Sequence, residues 1–247
     1  MASSVAFAIA STALSHVGSV RRHNEDACLE RPDIGLWVVA DGMGGHQAGD
    51  LASRTIVDSL AAFPAPSDAG SFIAEVRARL KESNQLLLDE AQRRGGNAVI
   101  GSTVVALLAH GAFFAVLWAG DSRLYRLRGD VLQQLTRDHS QVQDMVDAGL
   151  LAPEAAERHP YANVITRAVG TSPNLELDKL TERIAAGDIY LLCTDGLSKM
   201  VSDEEIAAIL HNTPPDDVAE ALIDAALAHG GKDNVTAITV RIGAALA

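Results

Sequence analysis

The chain has 247 residues, of which 48% are hydrophobic, enough apolar material for one sizeable core. Its 20 lysines and arginines face 32 aspartates and glutamates, a net charge of −12 that argues against binding nucleic acid or an anionic membrane, both of which need a basic face. Cys28 and Cys193 lie far apart among apolar neighbours and read as small core residues, not as a disulfide framework or a zinc site, which places the chain in a reducing cytoplasm.

In chain order, the first expected element is a strand over 4–10, where Val5, Phe7 and Ile9 alternate with smaller residues. The opening residues lack the basic start of a signal peptide. No segment reaches the length of a membrane span, so membrane insertion is not expected. Further strand-like runs, rich in Val, Ile, Leu and aromatics, fall at 34–40, 102–109, 112–119, 122–128, 175–183, 188–194 and 234–242. Helices are expected over 46–62, after a glycine-rich turn, and over 71–92, where Phe72, Val76, Leu80 and Leu87 share a face. Ser202 and Glu205 have capping-box spacing ahead of a helix over 203–210. Thr213 and Asp216 repeat that spacing, with prolines in the first turn, ahead of a helix to about 229.

Short turns at 110–112 and 129–130 imply antiparallel pairing, because a parallel connection needs a longer crossover. The helices come in groups instead of alternating strictly with strands. The pattern is α+β, antiparallel sheets covered by helices, in one domain spanning 1–247. Residues 138–168 are polar, broken by Pro153 and Pro160, with one short helix around 140–149; they read as a flap inserted in that domain.

The chemistry concentrates where apolar strands run into aspartate. WVVADGMGGH carries Asp41, VLWAGDSR carries Asp121 and YLLCTDGL carries Asp195; in GGKDNVTAITV, Asp233 precedes a strand, and RRHNEDACLE adds Glu25 and Asp26. A strand end holds a carboxylate rigidly, and several carboxylates in one place repel unless cations neutralise them. Oxygen ligands without a histidine–cysteine cluster suit hard ions such as magnesium or manganese. Each of these aspartates taken alone is more often just part of a turn. Spacing by itself carries the reading only as far as a candidate metallohydrolase.

The ordered series RRHNEDA, VVADGMGGH, GSTVV, AGDSRLY, LTRDHS, ITRAVG, LLCTDGL and KDNVTAI, from about residue 12 to 241, resembles the bacterial branch of the metal-dependent protein phosphatases, type 2C. The resemblance implies a four-layer α-β-β-α sandwich of two antiparallel sheets with helices on both outer faces. It also implies a centre for two divalent ions, magnesium or manganese, at one end of the sandwich. In that pattern Asp41 is the carboxylate bridging two ions, with the Gly42 carbonyl as a further ligand. Asp195 and Asp233 are ligands of the first ion, Glu25 lies on the second ion's side, and Asp26 holds coordinated water. Asp121, with Asp195, matches the position that holds a third ion in bacterial members.

Arg21 resembles the family's phosphate-binding arginine, with Arg22 as its rival; the guanidinium fork suits two phosphate oxygens. His46 resembles the histidine that protonates the leaving alkoxide, although Met-Gly-Gly separates it from Asp41-Gly42, and a helix-start histidine without that role is the alternative. The implied reaction is attack of a bridging hydroxide on a phosphoserine or phosphothreonine ester, without a phosphoenzyme. Arg137, His139, Arg158 and His159 are either residues facing an incoming phosphopeptide or an ordinary solvated loop; Arg167 is either a family position near the flap or a structural ion pair. The implied partners are a phosphoprotein substrate and a cognate bacterial serine/threonine kinase. The compact form also looks like phosphatases of secretion-system signalling. The rival readings are a metallohydrolase of small phosphate esters and a phosphatase-like scaffold without activity.

Overall fold

The computed structural model describes residues 7–44, 48–95, 98–156 and 158–245. The first part of the chain forms β1 (Phe7–His16), β2 (Asp26–Arg31), β3 (Leu36–Met43), α1 (Ala48–Ala61), α2 (Ala69–Arg94), β4 (Gly101–Ser102), β5 (Val104–His110), β6 (Phe113–Ala119), β7 (Arg123–Arg128) and β8 (Val131–Gln134). Then come α3 (Gln141–Asp147), α4 (Pro153–Ala156), β9 (Asp178–Arg183), β10 (Ile189–Cys193), α5 (Asp195–Ser198), α6 (Asp203–Asn212), a 3-10 turn (Pro215–Asp217), α7 (Val218–Ala228) and β11 (Val235–Ala245).

The strands make two antiparallel sheets, ordered β1-β11-β10-β7-β8 and β2-β3-β5-β6-β9, with β4 beside β3. Period-two side-chain alternation sorts their residues into three cores. In β3, Trp37 and Val39 turn inward with Leu107, Val116, Tyr190, Leu192 and Ile238 to fill the space between the sheets. Leu36, Val38 and Ala40 turn outward onto Ile56, Leu60, Phe72, Val76 and Leu80 of α1 and α2. On the other outer face Leu191 and Cys193 meet Ile206, Leu210, Leu222 and Ile223 of α6 and α7. Helix, sheet, sheet and helix are the four layers expected.

Some local expectations are corrected. The strand at β2 is absent from the apolar runs because Asp26, Glu30 and Arg31 interrupt them; Asp26 is buried and the other five residues are half-buried. Thr213 does not N-cap a helix but closes α6 as its C-cap; Pro214 stands at the cap of the 3-10 turn, and α7 begins only at Val218 without a side-chain cap. The Ser202 cap does form, its hydroxyl accepting from the Glu205 N–H. The inserted segment closes on itself at its base: the Thr166 N–H donates to the His139 carbonyl, and the Gln141 N–H to that of Val164. No described helix is long and apolar enough to cross a membrane.

Candidate active site

The alternation that fills the inter-sheet core also aims the carboxylates. Asp41 follows Trp37 and Val39 on the inward face of β3 and falls at the end of that core. Asp26, at the start of β2, lies directly opposite Asp41 in the antiparallel register, so the two share a face. In the second sheet, β10 ends just before Thr194-Asp195 and its antiparallel neighbour β11 begins just after Asp233-Asn234. Asp121 sits in the turn joining β6 to β7, which links the two sheets. The structure thus brings Asp26, Asp41, Asp121, Asp195 and Asp233 to one end of the sandwich.

Their supports come from residues with no charge. Thr103 holds Asp41 by its backbone: its hydroxyl accepts from the Asp41 N–H at 3.0 Å and its own N–H donates to the Asp41 carbonyl at 2.9 Å. The Thr194 and Thr236 hydroxyls donate to Asp26 Oδ2 at 2.9 and 2.7 Å. Asn234 Oδ1 accepts from the Glu25 N–H at 2.8 Å, while its amide donates to the carbonyls of Val17 and His23, fixing the loop that carries Arg21 and Glu25. Two glycine positions are forced by close approach. A Cβ on Gly196 would lie 1.9 Å from the Asn234 carbonyl oxygen, and one on Gly42 would lie 2.0 Å from that of Gly49. The Asp-Gly pairs are therefore packing devices as well as turns.

Electrostatically the cluster is uncompensated. Burial pushes Asp26 up to about 7, against the two threonine hydrogen bonds, with Asp195 and Asp233 adding repulsion. Desolvation, then the charges of Asp26, Asp195, Asp121 and Asp233, holds Asp41 well above the carboxylate range. Asp121 rises to about 6, again through burial and then Asp195. The few cations nearby are Arg21, whose Nη2 donates to Asp233 Oδ2 at 2.7 Å, and Lys199, whose Nζ lies 2.6 Å from Asp195 Oδ2. The hydrogen bond to Asp233 holds Arg21 above its ordinary value.

The residues present fit hard divalent ions. Every candidate donor is oxygen. The buried Oδ1 atoms of Asp26 and Asp121 have no hydrogen-bond partner among the described residues. A Cβ on Gly49 would fall 2.7 Å from both Glu25 Oε1 and the Gly42 carbonyl oxygen, so glycine there leaves these two oxygens a shared cradle. Among the described residues no group of three or more His, Cys, Asp or Glu forms a ready-made cage. Beside the cluster, Arg21, Arg22, Glu25, Asp50 and Arg54 line an open cleft of about 440 Å³. Arg22 therefore borders the cleft, but Arg21 is the one joined to a cluster carboxylate. His46 lies outside the described residues.

The flap residues separate. His139 is buried and faces no peptide: its ring stacks on Trp118, its Nδ1 accepts from the Gly120 N–H at 3.1 Å, and its Nε2 is left to donate to Asp178 Oδ2. Arg137 is held by Asp144 and Asp147. Arg167 donates to Asp178 Oδ1 at 2.7 Å, the ion-pair alternative. Arg158 is exposed and His159 half-buried. The residues the sequence reading missed are Thr103, Thr194, Thr236 and Lys199. For Lys199 a signal existed: four residues after Asp195, it lies one helical turn away on the same side.

The family model for protein phosphatase 2C matches residues 15–229. The serine/threonine protein phosphatase PstP of Mycobacterium tuberculosis is 37% identical over 230 residues, covering 93% of this chain; the chain spans only 44% of that protein's length. The protein phosphatase PhpP of Streptococcus pneumoniae is 37% identical over 238 residues, 92% of this chain and 95% of its own. Among solved structures, PppA, described as a key regulatory component of the T6SS in Pseudomonas aeruginosa, superposes with a TM-score of 0.88 at 46% identity, over 95% of this chain and 97% of that one. The catalytic domain of PstP in complex with two manganese ions superposes at 0.86 with 34% identity, over 96% and 99% of the two chains. With the fold, the motif series and a matching family model in agreement, this chain belongs to the protein phosphatase 2C family.

Proposed function

We propose that this chain hydrolyses phosphoserine and phosphothreonine in proteins with the help of two divalent metal ions, and that it reverses a bacterial serine/threonine kinase in the cytoplasm. The observation that carries the reading is the cluster of Asp26, Asp41, Asp121, Asp195 and Asp233 at one end of the sandwich, left without enough cations of its own. Asp41, Asp195, Asp233, Glu25 and the Gly42 carbonyl would hold the ions, with Asp26 orienting coordinated water and Asp121 at the edge of the cluster beside Lys199. When bound, such ions supply Lewis acidity and a hydroxide nucleophile near neutral pH.

The chain's own groups do the rest. Arg21, half-exposed at the cleft and tethered to Asp233 by one nitrogen, has further N–H groups to present to phosphate oxygens. Thr103 and Asn234 fix the backbone of Asp41 and Glu25, so the carboxylates need not reorganise as charge develops on phosphorus. His46 is the proposed proton donor to the departing alkoxide. Cys193 is not a nucleophile: burial pushes its thiol up to about 12 and seals it against α6 and α7.

The test is phosphate release from a phosphothreonine peptide, with manganese and with EDTA, for wild type and Asp195→Asn. Turnover with manganese, abolished by EDTA and lowered on the order of a thousandfold by the substitution, is the expected result. Turnover indifferent to EDTA would refute the mechanism, and no turnover in either condition would refute the activity.

A further inference from the structure

Lys199 follows the short helix α5 one turn after Asp195, at its C-cap. Its Nζ donates to Asp195 Oδ2 at 2.6 Å, to Asn163 Oδ1 at 3.0 Å and lies 3.4 Å from Asp121 Oδ2. An ammonium has three N–H groups, and these three acceptors, from three different segments, account for all of them. Asn163 belongs to the inserted flap, Asp121 to the turn linking the sheets, and Asp195 to the start of α5. The side chain is only 26% exposed, so the charge is enclosed. Burial works against that charge, but the two aspartates outweigh it and keep the amine above its ordinary range.

The position matters because Asp121 and Asp195 are the pair to which a third divalent ion would be directed. An ion held by both carboxylates would have to compete with the Nζ charge that already lies against the Oδ2 atoms of both.

We propose that Lys199 is the resident cation of the Asp121–Asp195 pair: it takes the place of a third metal ion and, through Asn163, ties the flap to the metal centre. The inference rests on the two-ion reading given above. Lys199 acts as a positioning residue; it touches neither the reacting phosphorus nor the leaving oxygen. The tether makes the flap's registration independent of a third ion, because a covalently held charge cannot dissociate.

Manganese binding followed by electron paramagnetic resonance of the free ion, combined with hydrogen exchange of segment 158–166, tests both halves. Wild type should bind two manganese ions tightly. Lys199→Met, which keeps the stem and removes the charge, should bind a third at least about tenfold more tightly than wild type does. That gain should disappear in Lys199→Met combined with Asp121→Asn, whereas Lys199→Arg, which retains the charge, should behave as wild type. In metal-free protein, Lys199→Met and Asn163→Ala should each speed exchange in the flap segment. Two tight sites with an unchanged third-ion affinity in Lys199→Met would overturn the assignment alone, as would a flap indifferent to both substitutions. Wild-type protein that bound no manganese would instead overturn the two-ion reading and this proposal with it. Should Lys199→Met fold poorly, Lys199→Ala is read by the same criteria.

Discussion

Strand β10 has an aspartate at each end, and the molecule treats the two in opposite ways. Asp188, just before the strand, is buried, yet Arg128 grips it by two bonds of 2.6 and 2.7 Å, and Tyr190 and the Ala185 N–H add two more. Burial pushes its carboxyl up, but those partners outweigh it and hold it below the usual range. Asp138 is likewise saturated, by Arg123 and Gln134. At the far end of the same strand, Asp195 joins Asp26, Asp41 and Asp121, and among the described residues the cations that reach the five aspartates are Arg21 on Asp233 and Lys199 on Asp195 and Asp121. The fold therefore has the means to neutralise buried carboxylates and withholds them from Asp26 and Asp41 at one end. Structural carboxylates are compensated by the chain; at the candidate site Arg21 and Lys199 reach Asp233, Asp195 and Asp121, while Asp26 and Asp41 depend on cations from solvent.

The sharpest way to break this contrast is to supply the cations. Manganese at about one hundred times its dissociation constant should stabilise the protein by about 2.7 kcal/mol per occupied site, seen as a raised Tm that EDTA reverses. An unchanged Tm would mean that the folded chain does not take up the ion. Next in size, Asp188→Ala should cost about 2 kcal/mol in urea denaturation, toward the low end for a buried pair because Arg128 reaches solvent. Manganese should stabilise this variant and wild type equally and leave the difference between them unchanged, since the deficit lies at the other end of β10.

The smallest effect concerns His139. Its burial, only partly offset by Asp178, pushes the imidazole below its ordinary value. The unfolded chain then binds the proton more readily, so the contribution of His139 to stability is present above about pH 6.5 and declines as pH falls below it. Denaturation midpoints between about pH 5 and 7.5 should show this slope in wild type and lose it in His139→Gln; equal slopes would remove His139 as its source.

The layers were legible because buried strands such as β5, β6 and β10 are continuous apolar runs with short turns between them, and α2 carries its apolar face at helical spacing. The strand β2 was not, since Asp26, Glu30 and Arg31 dilute its pattern. The false cap at Thr213 shows why spacing alone misleads there: two prolines fix the first turn as 3-10 before a capping hydroxyl can act. At the site, the aspartates could be read from strand ends followed by glycine, and the motif order supplied the family. Their convergence could not be read, because Asp26 meets Thr194 and Thr236 across 168 and 210 residues of sequence. For the same reason the flap histidine His139 looked like a surface group, although its contacts with Gly120 and Trp118 bury it.

The central claim is that the uncompensated end of the sandwich is a cation site organised around Asp41. Anomalous diffraction at the manganese edge, from crystals grown with the ion, tests it most directly. The account predicts two peaks, both against the Asp41 carboxylate, one shared with Asp195 and Asp233 and the other facing Glu25 and the Gly42 carbonyl. Manganese bound elsewhere, with those carboxylates bare, would contradict it.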